Sequence, residues 1–229
     1  MSSALQIKLQ RDLWALRAQT ASIAILIISG VSLLVATCSA YSSLRGAKNS
    51  YYSKYRFADI FVDFKRAPED ALRKIEAIPG VETVQRRAVG DGLVFTPNSS
   101  EPADGRFLSL PPGQQPKVNR IYLRQGRLPE NAEAPELVVH EGFASKHHLA
   151  PGDTIDIQLE GRREHARIVG IGISPEFVYA LSPSAQLPDD LHFGVFWTTD
   201  KALQRLMRLE GSFNSVALKL ASGASEDSV

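Results

Sequence analysis

Residues 21–40 read ASIAILIISGVSLLVATCSA, and no Asp, Glu, Lys, Arg or His lies between Arg17 and Arg45. A helix rises about 1.5 Å per residue and the hydrocarbon core of a bilayer is about 30 Å thick, so roughly 20 apolar residues cross it. The stretch predicts one transmembrane helix, assigned to residues 18–44, and everything beyond it reads as a domain held at a membrane surface. A cleaved secretory signal ending at Cys38, Ser39 and Ala40 fits less well, because the apolar region of such a signal is about 7 to 15 residues long behind a short basic tip. A lipoprotein signal running into Cys38, the only cysteine, is weaker still, since Thr37 is larger than the residue that usually precedes such a cysteine. Without a special role, Cys38 is a small apolar packing residue of the helix.

On the N-terminal side, Leu5, Leu9, Leu13 and Leu16 recur at helical spacing beside Trp14, with Lys8, Arg11 and Arg17 interspersed. This pattern predicts an amphipathic leader helix over residues 1–17, either lying along the interface or extending the span, with Trp14 as an interface anchor. On the other side a juxtamembrane connector is expected over 45–58. Tyr51, Tyr52 and Tyr55, followed by Phe57, read as an aromatic belt at the second surface, a substrate surface being the competing use. Cations flank both ends of the span, so the positive-inside count does not set the orientation.

With 26 Lys and Arg against 25 Asp and Glu, the net charge is +1, which excludes a nucleic-acid binder by charge. No cysteine follows Cys38, so no disulfide framework is available. The roughly 180 residues beyond the span are enough to bury a core without one.

Period organises that outer part. Ile60, Val62 and Phe64 alternate with Phe61, Asp63 and Lys65 as a strand does. Pro68 at the first helical position, Glu69 and Asp70 in the first turn, and Leu72, Ile75 and Ile78 on one face predict a helix that Pro79-Gly80 stops. A strand over Val81–Val89 follows, then a Gly90-Asp91-Gly92 turn into Leu93–Thr96. Near the other end, LHFGVFWT (191–198) reads as a strand, Thr199 or Asp200 caps a helix carrying Leu203, Leu206, Met207 and Leu209, Gly211 ends it, and Val216, Leu218 and Leu220 alternate in a last strand. The expected fold is therefore α+β. Two strand-helix-strand halves, residues 59–96 and 191–229, would form a ferredoxin-like split βαβ subdomain near the membrane.

Residues 97–190 would then be an inserted, distal, β-rich subdomain. Ser99–Lys117 reads as a loop, Leu137–His140 as a strand, Gly142–His148 as one or two helical turns, and Pro151-Gly152-Asp153 as a tight turn. Ile155, Ile157 and Leu159 alternate, Glu160-Gly161 turns the chain, and Ala166–Ile173 returns it as a hairpin.

Catalytic signatures are missing. His140-Glu141 and His147-His148 lack the HExxH spacing that a zinc helix needs, and His165 and His192 add no ligand pattern, so surface or hairpin histidines are expected and no metal. There is no GxSxG elbow and no GxxxxGK[ST] phosphate loop. Asn98-Ser99-Ser100 matches a glycosylation pattern. Arg86, Arg87, Arg120, Arg124 and Arg127 fall in different elements and read as solvated faces.

RDLWALRAQ, the span, YYSKYRFADIFVDFKRAP, KIEAIPGVETVQ, LAPGDTIDIQL, IVGIGISPEFVY and FGVFWT together resemble the N-terminal part of ABC-transporter permeases of the MacB/FtsX type. The likeness covers essentially the whole chain, and the leader with FADIFVDFKRAP is its most specific part. It implies a bacterial inner-membrane protein with a cytoplasmic N-terminus and a periplasmic main domain, not itself an enzyme and needing no cofactor. It also implies a cytoplasmic ABC ATPase subunit, a second permease copy and lipid as partners, with a periplasmic adaptor or substrate protein as a further one. ATP hydrolysis on the partner would then drive export or extraction of a lipoprotein, lipid, peptide or drug. Family members continue into three further spans, so a chain ending at Val229 reads as a fragment or a truncated gene product. Ser174, Pro175, Glu176 and Tyr179 are expected at the rejoining of the two subdomains, where they would make inter-subdomain or partner contact. The alternative is a single-span anchored periplasmic binding or adaptor module.

Overall fold

The computed structural model describes residues 2–97, 99, 101–131, 133–178, 187 and 189–225. The chain divides into two compact units, residues 1–50 and 51–229. The first is helical: α1 (Ser2–Ala15) and α2 (Arg17–Lys54) are separated only at Leu16. At 38 residues, with a mean hydropathy of 2.3 over its most apolar window and none of that window buried, α2 is long and apolar enough to cross a membrane. Its hydroxyls suit that role. Thr20, Ser22, Ser29, Thr37 and Ser42 each donate to a carbonyl three or four residues back, which satisfies them where no water is present.

The stretch expected as a connector over 45–58 is helical as far as Lys54. Arg56 then takes a left-handed conformation (φ 50°). The N–H groups of Phe57 and Arg56 bond the carbonyls of Tyr52 and Ser53 at 2.9 and 3.2 Å, a Schellman ending that turns the chain off the helix.

The second unit contains β1 (Ile60–Pro68), α3 (Glu69–Glu76), β2 (Val81–Arg87), β3 (Val89–Phe95), β4 (Ala103–Leu110), β5 (Tyr122–Gly126), β6 (Glu136–His140), α4 (Glu141–Lys146), β7 (Thr154–Leu159), β8 (Arg162–Ile173), β9 (Phe193–Thr199), α5 (Asp200–Met207) and β10 (Ser212–Leu220). Three strands make a small antiparallel sheet in the order β1-β10-β2. α3 lays Leu72 and Ile75 on Val84, Phe213, Val216 and Leu218 of this sheet.

The remaining seven strands run β5-β8-β6-β9-β4-β3-β7, and β7 also pairs with β8, so six of them close into a ring with β5 attached outside. The twelve-residue β8 makes the closure: its first half pairs with β7, and its second half with β6 and β5. Phe107 and Phe196 stack at 5.0 Å and Phe143 of α4 meets Phe196 edge-on at 5.1 Å, in a core that Leu137, Val139, Ile155, Ile157, Ile168, Leu203 and Leu206 complete. Leu108, Leu110, Val138, Val195 and Trp197 form a second cluster, so β4, β6 and β9 contribute side chains to both clusters.

Four expectations are corrected here. The 191–198 strand does not pair with the small sheet: β9 lies between β6 and β4, because all seven of its residues are buried and only a strand covered on both faces accommodates that. The small sheet thus holds β1-α3-β2 and β10, without a second complete βαβ half. Gly90-Asp91-Gly92 is not a turn but the middle of β3, which continues from β2 through Ala88 into the other sheet. A Cβ at Gly90 would lie 2.5 Å from the Met207 side chain, and one at Gly92 would lie 2.4 Å from the Gln158 carbonyl oxygen, so both glycines serve close approach. Within the expected 99–117 loop, residues 103–110 form β4, paired in parallel with β9. Gly211 also ends its helix later than the structure does, since α5 closes at Arg208, itself left-handed (φ 56°).

Candidate functional site

The last turn of α2 is built into the domain by aromatic packing. Tyr51 meets Tyr55 at 4.8 Å, Tyr52 stacks on Phe57 at 4.7 Å, Phe57 meets Phe61 at 5.8 Å, and Tyr55 meets Tyr122 of β5 at 5.8 Å. Lys54 lies over Tyr55 and Arg124 over Tyr122, at 5.5 and 4.8 Å. Trp14 is exposed, with the Arg17 guanidinium 5.4 Å from its ring. Tyr122 was not singled out by the sequence, because a lone tyrosine in a short edge strand carries no period.

The junction of the small sheet with the ring is polar and largely buried. Arg87, the last residue of β2, is 7% exposed. Its Nη1 donates to Glu176 Oε2 at 2.6 Å, its Nε donates to Ser215 Oγ at 3.1 Å, and its guanidinium lies 5.3 Å from the Phe61 ring. Glu176 Oε2 also accepts from Asn119 Nδ2 at 2.7 Å. Asn119 in turn accepts the Ala58 N–H on Oδ1 at 2.9 Å, and its carbonyl accepts Ser174 Oγ at 3.3 Å. Beside this cluster a cavity of about 20 Å³, lined by Gln85, Arg87, Ser109, Asn119, Glu176 and Trp197 among others, has room for about one water molecule.

Of the four residues expected to meet here, Ser174, Pro175 and Glu176 lie in the segment after β8, with Ser174 and Glu176 bonded as described; Tyr179 lies outside the described residues. Arg87 departs from the solvated-face reading, being a buried cation paired with a carboxylate. Asn119 and Ser215 were not anticipated. The available signal was Pro116-Lys117-Val118-Asn119, a turn whose asparagine adopts φ 54°.

The histidines divide. His140 and His147 are buried rather than on the surface. His140 accepts the Gly142 N–H on Nδ1 at 3.2 Å and so caps α4, which leaves Nε2 to donate to the Phe177 carbonyl at 3.0 Å; burial holds its pKa below the usual range. His147 sets Nδ1 3.0 Å from Thr96 Oγ1 and Nε2 2.9 Å from the Leu191 carbonyl. His165 and His192 pair at the surface with Asp156 and Asp189. Glu136 is held by two Arg127 bonds at 2.6 and 2.9 Å and by the N–H groups of Glu130 and Asn131; the guanidinium first, then these amides, pull its carboxyl down to about 2. Among the described residues no group of three or more His, Cys, Asp or Glu is placed to hold a metal ion.

A family model described as MacB-like periplasmic core domain matches residues 20–229. Among solved structures, the chain is similar to the extracellular domain of the noncanonic ABC-type transporter YknZ from Gram-positive bacteria, at 13% identity over 69% of this chain and 75% of that one, with a TM-score of 0.46. It is also similar to the periplasmic region of MacB from Actinobacillus actinomycetemcomitans, at 12% identity over 72% of this chain and 69% of that one, with a TM-score of 0.44. The search of curated proteins gives no match.

Proposed function

The chain belongs to the MacB-like periplasmic core domain family, and we propose that it provides the first membrane span and the periplasmic domain of an ABC-type transporter permease in a bacterial inner membrane. The observation that carries this reading is the extent of the match, which runs continuously over residues 20–229, most of α2 and the folded domain after it. A cytoplasmic N-terminus, a partner ATPase subunit and a second permease copy complete the arrangement. The domain does no chemistry in it. ATP hydrolysis on the partner moves the spans, and the periplasmic domain passes that motion to a lipoprotein, lipid, peptide or drug that is exported or extracted, directly or through an adaptor.

The last turn of α2 supports a mechanical role, because Tyr51, Tyr52 and Tyr55 bind it to Phe57 and Tyr122 by ring packing. Tyr51 stands eleven positions beyond Ala40, about 16 Å of helix. The headgroup layer is about 5–8 Å deep, so an upright helix carries these rings above it. A tilt of up to about 40° still leaves them above that layer, so on this side they are proposed to grip the domain, and Trp14 is proposed as the interface anchor at the opposite surface. Ser174, Pro175 and Glu176, with Tyr179, are proposed as the contact between the small sheet and the ring.

The test is association and topology in the intact permease. Reporters fused before Gln6 and within the 160–161 turn should read cytoplasmic and periplasmic, and a cytoplasmic ABC ATPase should copurify. A periplasmic domain with no ATPase bound would instead favour the single-span binding module.

A further inference from the structure

Two backbone crossings join the small sheet to the ring: Ala88 between β2 and β3, and the 208–211 turn between α5 and β10. Asn214, just inside β10, ties one to the other. Its Oδ1 accepts the Val89 N–H at 2.8 Å and its Nδ2 donates to the Val89 carbonyl at 2.7 Å. Ser109 of β4 closes on the same point, donating its N–H to the Ala88 carbonyl and accepting the Ala88 N–H on Oγ, each at 2.9 Å. Two single chain crossings meeting on one line bend more readily than a sheet bonded along its length, so this line is where the two parts can rotate.

Off that line the parts are held by polar contacts and by one small apolar one, Val118 of the β4–β5 loop against Ala217 of β10 and Ala58. Gln85 Oε1 accepts the Lys117 N–H at 2.9 Å. Arg87 reaches from the end of β2 to Glu176, and Glu176 also takes Asn119 from the loop between β4 and β5. We propose that Glu176, bridging Arg87 of the small sheet and Asn119 of the ring, is the clasp of a hinge whose axis runs through Val89 and Asn214. The chemistry suits a catch with two positions. With both side chains largely out of water, 9% and 15% exposed, the pair is stable when closed. Once parted, water solvates each charge, and only the half-open state leaves charges both unpaired and dry. The adjoining cavity gives water its entry. The use of such a hinge in force transmission rests on the permease reading above; its existence does not.

The test uses the full chain in lipid nanodiscs, with Cys38→Ser removing the only cysteine and with Lys74→Cys on α3 and Lys146→Cys on α4 carrying nitroxide labels. Both lysines are exposed, one beside each part. Pulsed electron resonance should give one narrow distance in this parent and a second, longer distance after Glu176→Ala. An unchanged distribution in Glu176→Ala that keeps the parent's circular dichroism overturns the clasp. If Glu176→Ala does not fold, Glu176→Gln, which keeps the shape and removes the charge, is read by the same two outcomes. Neither ATPase nor substrate is present, so a failed transport assay leaves the clasp standing, and unchanged distances leave the permease reading standing.

Discussion

In the closed ring each of the six strands has neighbours on both sides, whereas in the small sheet only β10 does. Burial follows the same division. All seven residues of β9 are buried, while β1 buries only Ala67 and leaves Phe61, Val62 and Phe64 more than a third exposed. A ring without free edges changes shape only by breaking ladder bonds or repacking its aromatic core. A three-stranded sheet under one short helix has fewer such restraints. A domain that passes on force is well served by this contrast, because motion then concentrates at the junction instead of spreading through both parts.

The largest expected effect falls on the ring. Phe196→Ala removes the ring on which Phe107 and Phe143 both pack, and its 0% exposure leaves no solvent to fill the gap. A loss of about 3–5 kcal/mol is expected in urea denaturation of the membrane-embedded chain. A loss below about 1 kcal/mol would mean that the ring core is slack, and the contrast between the two regions would fall with it.

Local elements were legible in the sequence, but the division between ring and small sheet was not. The apolar run of α2, the β1-α3-β2 pattern with Pro68 and Pro79-Gly80 at the helix boundaries, and the β7–β8 hairpin at Glu160-Gly161 are local signals, set by neighbours a few residues apart. Ring closure is not local. β4 pairs with β9 across some ninety residues, Asp104 to Phe193 at one end of the ladder, and nothing in either segment names the other. β4 was further disguised by Asp104, Gly105 and Arg106, which read as a loop, although Arg106 is engaged across the ladder by Asp91 at 2.8 and 3.0 Å. The junction was half legible. A conspicuous Ser-Pro-Glu after a hairpin drew attention to Glu176, but its partner Arg87 sits in a strand whose alternation gives no sign that an arginine faces inward.

Acid offers a second, smaller way to sharpen the contrast. Glu136 at the start of β6 holds the 127–131 segment to the ring, and its carboxyl sits at about 2. An unfolded glutamate titrates near 4.3, so the folded state binds its proton less readily. The resulting stability is fully present above about pH 4.3 and is lost as pH falls towards 2. Because Arg127 is 48% exposed, solvent screening reduces the contribution to about 2 kcal/mol. Glu136→Gln should lower stability by that amount at pH 7 and flatten the acid limb between pH 4 and 2, as followed by denaturation at each pH. An acid limb of unchanged slope would assign it to another carboxylate.

The smallest effect is the most discriminating. Ile75 of α3 is only partly buried against the small-sheet core, so Ile75→Ala should cost about 1 kcal/mol, less than the 2–5 kcal/mol of a fully buried isoleucine. What matters is where that cost appears. If the small sheet opens as a unit of its own, amide exchange followed by mass spectrometry should accelerate in residues 60–68 and 81–87 and stay unchanged in 193–199 of the ring. Equal acceleration in all three segments would mean that the domain opens only as a whole. In that case the two sheets would be one cooperative body, and the exposed faces of β1 would mark thin cover over a shared core instead of a part free to move.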